Sequence, residues 1–334
     1  MDPFISNPKV DLHLHAESVA RIDRLVAERE GRRPYDWEAW HRRLIEFPSG
    51  TARLERMNGE LDVDRFGAMD TDSEMFLARV EAALEGAAVS GAVLAEIRFG
   101  METVLRPRFM ELFREAEGRV RSIHPRFYGE ALISLWPSRT GADEVFEACL
   151  REAEHGLAGI DFLPVPYVEE ADWTVAHGWA SAFRDAGLGI TAHAGEFSPA
   201  NISSALGTPG LTRIGHGIHG LDRPDLVETV VASGVVLECC VTSNVLLGAV
   251  PSLDDHPLRR LAAAGILVTL NTDCPVRFST DLAVEYRAGM DLGFSDDELR
   301  ELTKVAVGAS FTSEDRKRKI RKWIEDNVPE SDTR

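Results

Sequence analysis

Val10-Asp11-Leu12-His13-Leu14-His15 is the first apolar run of the chain, and it closes on two histidines one residue apart. Side chains at i and i+2 on a strand share a face, so this segment, read as a strand, offers two imidazoles to one metal ion. Such a pair is also a common sheet-face feature, and its meaning depends on the rest of the chain. Three later runs end in a similar way: Thr191-Ala192-His193-Ala194-Gly195-Glu196, Arg213-Ile214-Gly215-His216-Gly217 and Leu270-Asn271-Thr272-Asp273-Cys274-Pro275. Each puts a metal-competent or proton-transferring side chain at the end of an apolar, β-prone run. Together they describe a mononuclear metal hydrolase.

Eight apolar segments read as strands, roughly Val10–His15, Ala92–Phe99, Phe127–Trp136, Leu157–Leu163, Leu188–His193, Thr212–His216, Val235–Cys240 and Ile266–Asn271. Their near-continuous apolar character suits a parallel sheet buried on both faces. Helical stretches with clear punctuation lie between them. Pro224 stands in the first turn of Asp222–Ser233 and Gly234 follows its end, while Asp143–Glu154 ends at Gly156 and Val175–Asp185 at Gly187. Eight β/α units predict an α/β fold, a TIM (β/α)8 barrel. Ser18–Gly91 is far longer than one crossover helix requires and carries Trp37, Trp40, Phe47, Phe66, Met69 and Phe76 among many charges. Residues 18–91 read as a helical insertion over the barrel mouth, equally an added structural layer or a substrate-enclosing lid. Ser313–Asp326, rich in Arg and Lys, reads as a solvated closing helix. With no repeat, low-complexity tract or linker, residues 1–334 read as a single metal-dependent hydrolase domain.

Composition narrows the function. A hydrophobic content of 44% supports a large core, and a net charge of −18 argues against nucleic-acid and anionic-membrane surfaces. Cys149, Cys239, Cys240 and Cys274 form no Cys-x-x-Cys pair, so the expectation is a reduced, cytoplasmic protein. Met1-Asp2-Pro3-Phe4 lacks a basic n-region and an apolar h-region, and no apolar stretch reaches the ~20 residues of a membrane span.

Functional side chains of such barrels collect at the C-terminal ends of the strands. His13, His15, His193, His216 and Asp273 would therefore converge on one mouth. Histidine nitrogen and carboxylate oxygen suit zinc, which lowers the pKa of a water toward ~7. Barrel hydrolases with two metals often bridge them by a carboxylated lysine from strand four, but no lysine lies between Lys9 and Lys304. The same gap excludes Schiff-base chemistry from the middle of the barrel. One metal ion per chain is the expectation.

The ordered set His13-Leu14-His15, His193-Ala194-Gly195-Glu196, Gly215-His216-Gly217, Thr242-Ser243-Asn244 and Asn271-Thr272-Asp273 resembles the adenosine deaminase family of the amidohydrolase superfamily. Ala95-Glu96-Ile97-Arg98-Phe99 is similar to that family's second strand. The resemblance implies a TIM barrel, one zinc ion, and hydrolytic replacement of an exocyclic amine by oxygen with loss of ammonia. It implies that His13, His15, His193 and Asp273 bind zinc and that Glu196 protonates the ring nitrogen beside the attacked carbon. It further implies that His216 orients the attacking water and assists its deprotonation, with Asp273 accepting a hydrogen bond from that water.

The catalytic half matches the family and the substrate half departs from it. Members acting on adenosine carry a second aspartate directly after the metal aspartate, where this chain has Cys274, a weak hydrogen-bonding group. A glycine whose N–H reaches the purine is replaced by Pro164, which has none. The family's Leu-Asp-Gly after the metal histidines is Ala16-Glu17-Ser18, where Glu17 can still take a hydroxyl. Phe162, Leu163, Trp136, Phe99 and Cys274 are expected to make the pocket more apolar, and Glu17, Phe162, Leu163 and Cys274 to touch substrate. The expected partner is a small heterocyclic amine: an adenine-like purine, a pterin or another aminated heterocycle. A zinc hydrolase of an amide or alkyl-amine bond and a non-catalytic binding descendant stand as alternatives.

Overall fold

The structure, a computed structural model, describes residues 8–19, 35–60 and 72–326, together with residues 24, 27, 28, 31 and 33. Eight parallel strands run in sequence order: β1 (Lys9–His15), β2 (Ala92–Gly100), β3 (Tyr128–Leu135), β4 (Gly159–Phe162), β5 (Gly189–Ala194), β6 (Leu211–His216), β7 (Val236–Cys239) and β8 (Leu267–Leu270). The ring closes just beyond β8. There the Asp273 N–H donates to His13 O at 2.7 Å and the His15 N–H donates to Asp273 O at 3.0 Å, bridging the last strand to the first. The eight-stranded TIM barrel expected from the apolar runs is thus observed.

β4 is shorter than its apolar run. The Leu163 N–H still reaches Leu135 O at 2.9 Å, and Pro164, with no N–H, ends the ladder. Helices flank the strands as the punctuation indicates, among them Ala142–Ala153, Thr174–Asp185 and Pro224–Ser233, the last followed by Gly234 at φ 68°. Ile320 and Ile324 of the C-terminal helix Glu314–Asp326 are buried beside Val10, Leu12 and Tyr128. The helix is not merely solvated. Arg316 donates to Gly129 O and pairs with Glu117 and Glu130 at 2.9 and 2.8 Å.

Between β1 and β2 the described helices are Ala16–Val19, Trp37–Leu44, Thr51–Glu60 and Ser73–Val89. Ser73–Val89 is the crossover helix, its Phe76 packed against Phe99 and Phe109. Trp40, Leu44 and Met57 form a separate apolar cluster with Leu247, Cys274 and Phe278 at the C-terminal ends of β7 and β8. Phe66 and Met69 lie outside the described residues.

The barrel interior departs from the usual branched aliphatic filling. Arg98 on β2 binds Asp161 at 3.0 Å, Leu12 O at 2.6 Å and Glu238. Arg213 on β6 binds Glu96 and Glu238, each at 2.6 Å. All five charged side chains are fully buried. Buried charges persist only when paired and hydrogen-bonded. Here two arginines bridge three carboxyl groups, and burial raises the pKa of Glu96 against the pull of Arg213.

Candidate metal centre and active site

Strand alternation decides which residues reach the barrel axis. On β1 His13 and His15 reach the axis beyond a break in the register with β2 between Asp11 and Leu14, while Asp11 bonds Thr272 instead; on β5 Thr191 and His193 reach it. The three imidazoles of His13, His15 and His193 meet with ring centroids 4.6–5.3 Å apart. One ligand-type atom from each lies within 4.8 Å of the others, a grouping that could hold a metal ion. Gly215 on β6 makes room for them, since a Cβ there would stand 2.9 Å from His13 Cε1.

Each of two rings is pinned by a carboxylate from the floor. His13 Nδ1 lies 2.9 Å from Glu238 Oε2, and His193 Nδ1 lies 2.9 Å from the Asp161 carboxylate. Such contacts place the ring proton on Nδ1 and leave Nε2 with its lone pair, the arrangement usual behind metal-binding histidines. His13 Nε2 is accordingly buried and has no hydrogen-bond partner among the described residues. Burial opposes ionisation of Asp161, but His193 and Arg98 outweigh it and hold that carboxyl well below the usual range. Burial first, then Arg98 and the neighbouring rings, drive His13 far below the ordinary imidazole value. It is a neutral nitrogen donor.

Asp273 stands beside this cluster and is itself grouped with His216 and Cys240, whose ligand-type atoms lie within 4.8 Å of one another. Its Oδ1 is 3.4 Å from His15 Nε2, and its Oδ2 accepts from Ser243 Oγ at 2.6 Å. Burial raises its pKa, while His15, His216 and the Ser243 bond pull it below the usual range. Both Asp273 (φ 59°) and His216 (φ 62°) sit in the left-handed region, a conformation costing about 1–3 kcal/mol per non-glycine residue. The hydrogen bonds to β1 that close the barrel hold Asp273 there.

His216 ends β6 with its ring centroid 4.8 Å from that of His13 and 5.3 Å from that of His193. Burial and the surrounding cationic groups push it down to about 3, against the pull of Asp273. Its Nδ1 lies 3.2 Å from the Asn244 amide, whose other end lies 3.2 Å from His256 Nε2. Glu196 follows β5 through Gly195 (φ 74°), where a Cβ would strike Ile202 at 2.7 Å. Its Oε2 is 3.7 Å from His216 Nε2, and its Oε1 is buried without a hydrogen-bond partner among the described residues. Burial and the Asp273 charge raise its pKa to about 8, with the Tyr167 hydrogen bond and His193 opposing.

These groups floor a cavity of about 390 Å³, within the range of small-molecule sites. Leu54, Met57 and Asn58 of the insertion form one wall, and Trp136, Arg139, Leu163, Pro164 and Tyr167 another. Glu17, Cys274 and Arg277 line it as well. Glu17 is held below its usual range, because His15 and Arg277 outweigh burial. Of the residues expected to touch substrate, Glu17, Leu163 and Cys274 are on this surface and Phe162 is not. Asp161 turns inward on β4, so Phe162 turns outward and packs on Phe183 at 6.1 Å. Phe99 is displaced for the same reason, since Arg98 takes the inward position on β2. Trp136, just past β3, does line the cavity.

Sequence reasoning does not single out Asp161, Glu238, Arg98, Tyr167, Asn201 or His256. A signal exists for two of them. Gly159-Ile160-Asp161-Phe162 and Val236-Leu237-Glu238-Cys239 each set one acid inside an apolar strand, and a buried lone acid demands a partner.

Comparison with known proteins agrees with this geometry. The family model for adenosine deaminase matches residues 131–327. An adenosine deaminase of Shewanella loihica is 30% identical and aligns over 94% of this chain and 97% of its own length. The chain belongs to the adenosine deaminase family. An adenine deaminase of Rhizobium meliloti is 47% identical over 139 residues, 41% of this chain and 43% of that relative. The matched part spans less than half the length of such adenine deaminases. Among solved structures, adenine deaminase from Arthrobacter aurescens superposes with a TM-score of 0.77 at 26% identity, over 96% of this chain and 98% of that one. An Arabidopsis N6-mAMP deaminase shares the fold, with a TM-score of 0.79 at 23% identity over 98% and 100% of the two chains. Among the described residues no helix is long and apolar enough to cross a membrane.

Proposed function

We propose that this protein is a zinc-dependent hydrolytic deaminase of an aminated purine or a close heterocyclic analogue. The observation that carries the reading is Glu196. It is a buried carboxyl with one oxygen unpartnered, at the floor of a cavity and beside a histidine–aspartate cluster. Simple ester hydrolysis needs no ring protonation, whereas a ring nitrogen must be protonated before its neighbouring carbon accepts water. The relatives act on adenine and adenosine, which supports the same chemistry here.

His13, His15, His193 and Asp273 would hold the zinc ion. Three histidine nitrogen donors and one carboxylate suit zinc, and the orphaned His13 Nε2 fits such a role. When bound, zinc supplies an acidified water at neutral pH. Glu196 gives its proton to the ring nitrogen, and the adjacent amino-bearing carbon becomes electrophilic. His216 orients the attacking water with its Nε2–H, and Asp273, accepting a hydrogen bond from that water, takes its proton. The Leu258 N–H donates to His256 Nδ1 at 3.2 Å, so His256 Nε2 donates to the Asn244 oxygen and the Asn244 amide nitrogen donates to His216 Nδ1, which leaves the His216 ring proton on Nε2. The water oxygen bonds to carbon, the C–NH2 bond breaks, and the nitrogen leaves as ammonia with the transferred proton. The ring keeps the proton from Glu196, the proton left on the attacking oxygen returns to the Glu196 carboxylate as the C=O forms, and the product is a lactam.

Cys274 and Pro164 both line the cavity, and neither replaces the polar contact that adenosine would lose there. Each lost buried contact costs about 1–3 kcal/mol, so adenosine should fall at least about a hundredfold below the best substrate in kcat/KM. The test is ammonia release by zinc-loaded protein from adenine, adenosine, N6-substituted adenines, aminopterins and aminopyrimidines. Metal analysis should accompany it and find about one equivalent per chain. No ammonia from any of them at full metal loading would overturn the reading.

A further inference from the structure

Glu196 has one committed oxygen and one free oxygen, and the commitment comes from a different strand. Tyr167, on the loop after β4, donates its hydroxyl to Glu196 Oε2 at 2.8 Å, while Oε1 has no partner among the described residues. The Tyr167 ring stands edge-on to Phe197, directly after Glu196, at 6.0 Å. A second anchor ties the two loops together. Asn201, fully buried, donates to Pro166 O, Tyr167 O and Glu169 O at 3.3, 3.2 and 2.9 Å. Its Oδ1 accepts from the Ala171 N–H at 2.9 Å and from Trp173 Nε1 at 3.0 Å. The backbone around Tyr167 is therefore fixed by one side chain from the Glu196 loop, so the hydroxyl is not a chance contact of a free loop.

We propose that Tyr167 is a positioning residue that makes Oε1 of Glu196 the proton-donating oxygen. This rests on the deaminase reading above and deepens it. In a neutral carboxyl group the carbonyl oxygen is the acceptor and the other oxygen carries the hydrogen. A tyrosine hydroxyl donating to Oε2 thus selects Oε2 as carbonyl and puts the hydrogen on Oε1, the oxygen with no protein partner. The group that satisfies Oε1–H must be an acceptor, as an sp2 ring nitrogen is. When the proton passes to that nitrogen, the Oε1–H bond breaks and negative charge spreads over both oxygens of Glu196. The Tyr167 bond becomes charge-assisted and stronger. An interaction that tightens as the proton transfers lowers the barrier more than it aids binding.

The test compares wild type, Tyr167→Phe, Glu196→Gln and the double variant, all metal-loaded, on the best substrate of the screen. Tyr167→Phe should lose about ten- to a hundredfold in kcat with KM changed less than about threefold. In the Glu196→Gln background the same change should cost less than about threefold, because no acid proton remains to direct. An unchanged kcat, a loss confined to KM, or an undiminished loss in the Glu196→Gln background would overturn the proposal. A readout independent of turnover separates it from failure of the deaminase reading. At pH 6 the infrared carbonyl band of protonated Glu196, identified by its absence in Glu196→Gln, should move to higher wavenumber in Tyr167→Phe. A band that is missing in wild type, or that does not move, defeats the proposal whether or not the protein deaminates anything.

Discussion

The two halves of the cavity are built by different means. On the metal-facing half, donors stand at strand ends, two of their rings are braced by carboxylates of the barrel floor, and the floor itself is a buried chain of ion pairs from Asp161 through Arg98, Glu238 and Arg213 to Glu96. On the substrate-facing half, the wall is assembled from the loops after β3 and β4 and from the Thr51–Glu60 helix, with Leu54, Met57, Trp136 and Leu163 supplying mostly apolar surface. The first half is held by interactions that are costly to break singly; the second depends on packing that tolerates exchange. One scaffold can therefore keep its chemistry while its substrate changes.

That contrast can be broken by experiment. The largest effect should come from Glu196→Gln, which removes the acid proton and none of the proposed ligands. Turnover should fall by about 10²–10⁴-fold at unchanged zinc content, measured by steady-state kinetics beside metal analysis. Loss of zinc in this variant would merge the two roles that the geometry keeps apart. Next is Asp161→Asn, which touches neither metal nor substrate but weakens the brace on His193 Nδ1. Zinc affinity should drop by about 10–100-fold in chelator competition, and an unaltered affinity would mean that the floor does not tune the donors.

The pH profile sharpens the comparison. Glu196 must be protonated to donate, and its pKa is raised to about 8, so kcat/KM should be sustained below that value and fall as pH rises through it. The fall should be about tenfold per unit. A bound dication favours the ionised form and draws this limb lower. The limb should vanish in Glu196→Gln, and a limb that persists there belongs to another group. The smallest effect belongs to the substrate wall. Cys274 Sγ lies 3.3 Å from Asp273 Oδ1, so Cys274→Asp would set a second carboxylate beside the first. It should improve adenosine turnover by less than about tenfold, as read from kcat/KM, because like charges oppose it and Pro164 still offers no N–H. A gain approaching a hundredfold would place the specificity at that single position.

The barrel, its strand order and its metal-facing residues are legible in the chain because they follow from local rules. Apolar runs of strand length alternate with capped helices, and ligands at the ends of parallel strands converge whatever the loops do. His13, His15, His193, Glu196, His216 and Asp273 are recognisable for that reason. Phe162 and Phe99 are expected in the pocket and lie outside it, because near-continuous apolar runs give no phase. An outward or inward position is settled only when Asp161 and Arg98 take the axis, drawn there by each other and by His193 and Glu238. The partners of Glu196, Asn244 and His216 likewise come from segments dozens of residues away in the chain or beyond a loop, and no local pattern records which hydroxyl or amide arrives. Residue type and a period of two determine, from sequence alone, which chemistry a strand end can present. Which buried charge meets which partner, and which oxygen of an acid is left free, depends on distances between separate strands, and only the closed barrel sets them.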